Sequence, residues 1–366
     1  MSSIVALNVA GARPNFMKLA PVHRAMTATG AIRPVFVHTG QHYDENLSRI
    51  FLDEFDLPDP DHDIGAGSGT HAEQTARVML GIEPIIAEVR PDVVVVFGDV
   101  NSTIAAALVA AKMGVQVAHV EAGLRSFDRT MPEELNRLLT DALADLLFVP
   151  SRDAVANLAR EGVPSDRVFL VGNVMIDTLD RLRPRAERST ILDELGVRDG
   201  GYIAATIHRP SNVDDLDSMT TTSTALSDLA AFAPTLLIVH PRTRKKLQDH
   251  GLERALEAAG VRLLDPLGYV DFLRLLMGAG AILTDSGGIQ EEATVLGVPC
   301  ITLRTTTERP VTIVEGTNRL VGTDPALAVA AVREGFESER LPRRPELWDG
   351  LAAERIVDVL VDRLGA

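Results

Sequence analysis

Residues Ala281 to Glu292 read AILTDSGGIQEE, an apolar run that breaks at Asp285-Ser286 into two glycines and then resumes with the spacing of a helix. Such a run suits a parallel strand buried on both faces. The glycines that follow let backbone N–H groups crowd an anion at a helix N-terminus, where Ser286 stands in the position of a cap. Glu292, under two turns into that helix, is placed to accept both hydroxyls of a ribose. Neither a G-x-x-x-x-G-K-[ST] loop nor a G-x-G-x-x-G loop with an acidic residue about 20 positions later is present, so the expected ligand is a nucleotide outside those two classes. The same glycines are also legible as a plain strand-to-helix turn.

Outward from this stretch the pattern repeats. Short β-branched runs alternate with amphipathic segments at Ile4 to Val9, Val35 to His38, Val93 to Phe97, Val115 to Val120, Leu146 to Val149 and Phe169 to Val171. A second series follows at Tyr202 to Ile207, Thr235 to Val239, Val261 to Leu264, Ala281 to Leu283 and Cys300 to Leu303. A chain of 366 residues exceeds a usual single domain. The expected fold is therefore α/β, with two doubly wound Rossmann-like domains. The polar segment RLRPRAERST interrupts the rhythm, and the domains are placed at 1–171 and 172–350, with a C-terminal helix over 351–366 able to pack back on the first.

Composition narrows the function. A net charge of -15 argues against a nucleic-acid or acidic-membrane partner, either of which calls for basic surface. The single cysteine, Cys300, lies in an apolar run and reads as core. The nine histidines show no H-E-x-x-H or comparable ligand spacing, so no metal site is expected. Met1 leads through Ser2-Ser3 directly into IVALNVA, with no basic leader and no apolar run near 18 residues, and a cytoplasmic location is expected.

In open α/β sheets ligands bind beyond the carboxyl ends of the strands. The residues there are unusually polar: Arg13 and Lys18 after the first run, Gly40-Gln41-His42 after the second, then Asp99 and Glu121. The second half gives His208-Arg209, His240, Asp285-Ser286 and Arg304. Glu133 follows Met131-Pro132 at the start of a helical run. If the two sheets face each other across a cleft, carboxylates and cations line one wall and the anion site the other. Each residue also has an ordinary reading: Asp99 as a helix cap, Glu133 and Glu134 as partners of a helix dipole, His208 as a hydrogen-bonded structural imidazole.

Taken together, GARPNFMKLAPV, TGQHYDENLS, FGDVNSTIAAALVAAKMGVQVAHVEAGLRSFDRTMPEELNR, ATIHRPSNVDD, HPRTRKKL, LTDSGGIQEEATVLGVPC and TTERPVTIVEGTNRLVGTD resemble the non-hydrolysing UDP-N-acetylglucosamine 2-epimerases nearly end to end. The resemblance implies the GT-B-like arrangement of two Rossmann-like domains. It also implies reversible conversion of UDP-N-acetylglucosamine to UDP-N-acetylmannosamine through elimination of UDP to 2-acetamidoglucal and readdition. Asp99, Glu121 and Glu133 match the family's catalytic carboxylates and His208 its essential histidine. Arg13, Lys18, Arg209, Ser286, Gly287, Gly288, Glu292 and Arg309 match positions that handle the substrate's UDP, with Glu292 on the ribose. Gln41, His42 and His240 fall where some members hold an allosteric UDP-sugar. A homodimer and no cofactor are implied. This chain has Pro210-Ser211 where many bacterial members have Arg-Glu, and Tyr43-Asp44 where some have Arg followed by Glu or Gln. The alternatives are a hydrolysing epimerase that releases N-acetylmannosamine and UDP, and a GT-B glycosyltransferase.

Overall fold

The computed structural model describes residues 3–40 and 51–365. By compactness the chain divides into an N-terminal unit, Met1–Thr178 with Glu346–Ala366, and a C-terminal unit, Leu179–Pro345.

In the N-terminal unit the strands are β1 Ile4–Ala10, β2 Ile32–His38, β3 His62–Asp63, β4 Val93–Phe97, β5 Gln116–Val120, β6 Leu146–Val149 and β7 Val168–Leu170. Among the described residues they form one sheet in the order β3-β2-β1-β4-β5-β6-β7, with every pairing parallel. β4 is VVVVF and fully buried, which explains a continuous apolar run in place of alternation: helices cover both faces of a parallel sheet. Leu7, Val94, Val96, Val117 and Leu147 form a core with Ile82, Ala106 and Leu158 of the surrounding helices.

The C-terminal unit repeats the scheme with β8 Ile203–Thr206, β9 Thr235–Ile238, β10 Val261–Leu264, β11 Ala281–Thr284, β12 Cys300–Thr302 and β13 Asn318–Leu320. Their order is β10-β9-β8-β11-β12-β13, again parallel. Hydrophobic clusters include Ile203, Leu237 and Leu283 on one side of the sheet and Tyr202, Leu236 and Ile282 on the other, as alternate residues of a strand must. Cys300 belongs to the second cluster, and burial pushes its thiol up to about 12. No helix among the described residues is long and apolar enough to cross a membrane.

Each sheet has one place where the strand order reverses, between β1 and β4 and between β8 and β11. Loops leaving the carboxyl ends of such a pair diverge to opposite faces and open a crevice between them. The topology thus brings the start of helix Arg13–Thr29, with Lys18, and the loop carrying Asp99 together in one unit, and the residues His208 and Ser286 together in the other.

The chain returns to the N-terminal unit through Leu347 and Trp348. A Cβ on Gly172, whose φ is +89°, would stand 2.0 Å from the Leu347 carbonyl oxygen, so only glycine admits the returning strand of chain. Trp348, the single tryptophan, is buried and donates its indole N–H to the Pro150 carbonyl at 2.9 Å. Asp177 accepts from the N–H groups of Ala352 and Ala353 at 3.2 and 2.7 Å, capping from outside the final helix, Ala352–Leu364, which packs on helix Arg13–Thr29. Trp348→Ala empties a large buried site and leaves the carbonyl unpaired. The expected loss is about 3–5 kcal/mol, read by circular dichroism in urea.

Candidate active site

In the N-terminal unit the loop after β1 is pressed against its neighbours: a Cβ on Gly11 would lie 1.7 Å from Thr39 Oγ1. Helix Arg13–Thr29 begins at once, so Lys18 falls in its second turn. The Lys18 ammonium is buried and ion-paired with Glu121 Oε2. It also lies against the β4 turn, because a Cβ on Gly98 would be 2.7 Å from Lys18 Nζ. Glu121, the first residue after β5, has φ +74°. A non-glycine residue in the left-handed region costs about 1–3 kcal/mol and persists where its surroundings over-determine it. Here the N–H groups of Glu121 and Ala122 both donate to the Phe148 carbonyl, at 3.1 and 3.0 Å. The bend turns the carboxylate back onto Lys18.

Asp99 does not cap a helix. Val100 occupies the N-cap position of helix Asn101–Lys112, without a side-chain cap bond, and the half-buried Asp99 carboxylate accepts from Arg137 Nη1. Arg137 also donates to Glu134 Oε2 through Nε at 3.0 Å and Nη2 at 2.7 Å. Glu134 is buried and takes the N–H groups of Ser126 and Phe127, each at 2.9 Å. It thereby fixes the loop ahead of helix Pro132–Leu143. Successive helical residues point about 100° apart. Glu133 is accordingly exposed, with no hydrogen bond or ion pair among the described residues. The two adjacent glutamates thus have different surroundings, and the sequence reading, which set them side by side at a helix start, missed the structural role of Glu134 and its partner Arg137.

In the C-terminal unit Asp285 is fully buried at the end of β11 and organises the end of β8. It accepts from the His208 and Arg209 N–H groups at 3.0 and 2.8 Å, from Asn212 Nδ2 at 2.9 Å, and lies 3.1 Å from His208 Nδ1. Burial acts to raise the Asp285 carboxyl, but the bond and charge of His208, with Asn212 and the Arg209 N–H, outweigh it and hold it below the usual carboxylate range. With Nδ1 turned to Asp285, the His208 ring is oriented and partly exposed, 5.7 Å from the His240 ring. His240 heads helix Pro241–Asp249, its Nδ1 accepting from the Arg242 N–H at 3.2 Å.

Ser286 stands at the N-cap position of helix Gly287–Leu296, but its side chain makes no cap bond, contrary to expectation. Its N–H instead donates to Thr284 Oγ1 at 3.0 Å. Arg309 lies against this first turn, since a Cβ on Gly287 would be 2.5 Å from Arg309 Nη1. A guanidinium there is disfavoured by the helix dipole. Glu291 Oε1, 3.0 Å from Arg309 Nε, and Glu308 Oε2, 3.4 Å from Nη1, offset it. Glu308 is itself buried; burial opposes its charge, yet two bonds from Arg304 at 2.8 Å and the charges of Arg309 and Arg209 hold its carboxyl well below the usual range. Gly288 follows in the same turn. Glu292 is buried and accepts from the Tyr269 hydroxyl at 2.7 Å. Gln41, His42 and the side chain of Arg13 lie outside the described residues. Among the described residues no cluster of three or more His, Cys, Asp or Glu side chains is placed to hold a metal ion.

The fold is of the GT-B class. A solved UDP-glucosyltransferase from Polygonum tinctorium shares it at TM-score 0.63 and 15% identity, each chain fully covered. The chain belongs to the UDP-N-acetylglucosamine 2-epimerase family, whose model matches residues 24–361. It is 42% identical to the UDP-N-acetylglucosamine 2-epimerase of Methanocaldococcus jannaschii, over 96% of this chain and 97% of that protein. A crystal structure of the M. jannaschii enzyme in complex with UDP-GlcNAc and UDP superposes with TM-score 0.92, at 41% identity, 98% of this chain and all of that one covered. A UDP-2,3-diacetamido-2,3-dideoxy-D-glucuronate 2-epimerase from Pseudomonas aeruginosa is 40% identical over 97% of this chain and 98% of its own length.

Asp285→Asn tests the organiser of the C-terminal half. A carboxyl whose folded pKa lies below its unfolded value of 3.8 contributes stability above that value and loses it as pH falls through the folded pKa. The variant is therefore expected to be less stable than wild type at pH 7 in urea unfolding, with the gap narrowing as pH falls below about 4. A gap independent of pH contradicts the assignment.

Proposed function

We propose that the protein epimerises UDP-N-acetylglucosamine at C2, giving UDP-N-acetylmannosamine without net hydrolysis. The C2 proton has no adjacent carbonyl to acidify it. Departure of UDP from C1 builds oxocarbenium character in the ring and makes C2 deprotonation feasible. The C1–O bond breaks, a base takes the C2 proton, and 2-acetamidoglucal and UDP result. Return of a proton to the opposite face of C2, with re-formation of the C1–O bond, inverts that centre.

The observation that carries this reading is the treatment of the carboxylates at the strand ends of the N-terminal unit. Glu121 is bent back onto Lys18, Asp99 is held by Arg137, and Glu133 stays exposed. Glu121 and Asp99, so fixed, and the exposed Glu133 can exchange protons with a sugar without being spent on helix capping. We assign the proton transfers to Asp99, Glu121 and Glu133. The departing diphosphate is assigned to the C-terminal unit: His208, Arg209, Arg309, the Ser286 hydroxyl and the first-turn N–H groups of Gly287 and Gly288. Glu292 is assigned to the ribose, with Arg13 and Lys18 on the phosphate side. A UDP-sugar is the one ligand required and no cofactor is called for. Following the family resemblance, the working form is taken to be a cytoplasmic homodimer with His240, Gln41 and His42 near any regulatory sugar site.

Products from UDP-N-acetylglucosamine, separated by anion-exchange chromatography, are expected to be a stable mixture of both UDP-sugars. Accumulation of free N-acetylmannosamine with UDP assigns the hydrolysing reaction, and turnover only with an added acceptor assigns glycosyl transfer. UDP-2,3-diacetamido-2,3-dideoxy-D-glucuronate belongs in the same assay, because a relative named for it is 40% identical. Asp99→Asn and Glu121→Gln are each expected to lower kcat by about 10²-fold or more, with UDP affinity within about threefold of wild type. Near-normal rates remove those side chains from the proton transfers.

A further inference from the structure

Three consecutive backbone carbonyls leave the end of β4, and each is taken by a side chain from elsewhere in the N-terminal unit. The Phe97 carbonyl accepts from Asn15 Nδ2 at 2.7 Å and Thr103 Oγ1 at 2.8 Å. The Gly98 carbonyl lies 2.8 Å from His119 Nε2, and the Asp99 carbonyl accepts from Asn136 Nδ2 at 2.9 Å. These donors come from helix Arg13–Thr29, helix Asn101–Lys112, β5 and helix Pro132–Leu143. Strand ends usually leave such groups to water or to turn hydrogen bonds. Here fixed side chains replace both, directly before and at the residue assigned to proton transfer.

Gly98 explains why the restraint is needed. Gly98 has φ +64°, a conformation side chains rarely adopt, and a Cβ there would stand 2.7 Å from Lys18 Nζ, so glycine is favoured. Glycine is also the residue whose backbone is least confined by its own sterics. The direction of the Gly98 carbonyl, and with it the peptide that leads into Asp99, must be set from outside.

His119 is fully buried on β5 and donates at that point, because a carbonyl can only accept. Its other nitrogen, Nδ1, lies 2.6 Å from Asp141 Oδ1. Asp141 in turn is held at Oδ2 by the Gly123 N–H at 3.0 Å and Arg125 Nη1 at 2.7 Å. Arg125 grips Glu161 with two bonds at 2.8 and 2.7 Å. The imidazole can neither flip nor slide. A buried ionic chain of this kind is often no better for stability than apolar side chains of the same volume. What it supplies is a fixed donor at one point.

We propose that His119 is a positioning residue for Asp99: clamped by Asp141, it fixes the Gly98–Asp99 peptide and so aims the Asp99 carboxylate. This rests on the assignment of Asp99 to proton transfer made above. His119 itself touches no reacting atom.

Two amide replacements separate the ends of the ring. Glutamine places its amide near the position of Nε2 and keeps the Gly98 bond, whereas asparagine places it near Nδ1 and keeps only the Asp141 bond. His119→Asn is expected to lose about 10²-fold in kcat, the scale of a roughly 1 Å misplacement, with KM and UDP affinity within about threefold; His119→Gln is expected to stay within about fivefold of wild-type kcat. Equal losses in the two variants, or a normal kcat in His119→Asn, overturn the proposal. A crystal structure of His119→Asn reads the geometry without reference to turnover: a rotated Gly98–Asp99 peptide and a broken Asp99–Arg137 pair are expected, and an unmoved peptide overturns it. Wild-type protein that makes no UDP-N-acetylmannosamine would sink the epimerase reading, while the crystal structure still decides the positioning. Should His119→Asn fail to fold, a crystal structure of His119→Gln decides: the new amide is expected to donate to the Gly98 carbonyl with the Gly98–Asp99 peptide in place, and an unmoved peptide with the amide turned away from that carbonyl overturns the proposal.

Discussion

A carboxylate withdrawn from water keeps its charge only where cations or N–H groups replace the solvent. That condition shapes the candidate site throughout. Glu121 is met by Lys18, Glu134 and Asp99 share Arg137, Asp141 is met by Arg125 and His119, and Glu308 by Arg304. Asp285 is met by the His208 imidazole, by Asn212 and by the His208 and Arg209 backbone N–H groups. Removing one member of a buried pair strands the other at a cost of about 3–5 kcal/mol. Identity at one position thereby constrains identity at its partner. The backbone follows the same demand, since the left-handed Glu121 is where the chain turns a carboxylate back onto an ammonium.

The two units use one topology for different tasks. In each, the crevice opens where the strand order reverses, so the side chains there are set by the residues leaving two adjacent strands. In the first unit Asp99 leaves β4 and Lys18 lies in the helix after β1, while Glu121 from the next strand, β5, pairs with that lysine. In the second, one buried aspartate orients an imidazole while guanidinium groups gather beside the first turn of a helix. On the proposed chemistry the first suits proton exchange at a carbon and the second a diphosphate that must leave and be kept for return.

The fold was legible because its strands are covered on both faces and therefore read as unbroken apolar runs. β3, His62–Asp63, and β13, Asn318–Leu320, escaped notice because they are short, polar edge strands with no apolar run to read. Strand-end position alone picked out Asp99, Glu121, His208 and Asp285, since the topology fixes what those residues can face. Partners were illegible: Arg137 for Asp99, Asn212 for Asp285 and Tyr269 for Glu292 arrive from helices, and no local spacing marks which arginine or tyrosine the tertiary fold will deliver. Ser286 sits at the cap position without capping, because the local pattern states where a hydroxyl stands and not which way it turns. That Glu134 turns inward while Glu133 stays exposed depends on helix phase relative to the sheet, which two adjacent letters do not carry.

Hydrogen exchange at C2 is the step that distinguishes removal of a proton from every reaction that leaves that carbon untouched. Incubation with UDP-N-acetylglucosamine in D₂O followed by NMR reads it directly. Deuterium at C2 in both UDP-sugars, accumulating together with the C2 epimer, is the predicted result. Substrate recovered with its C2 proton intact, or an epimer formed without deuterium, would contradict it.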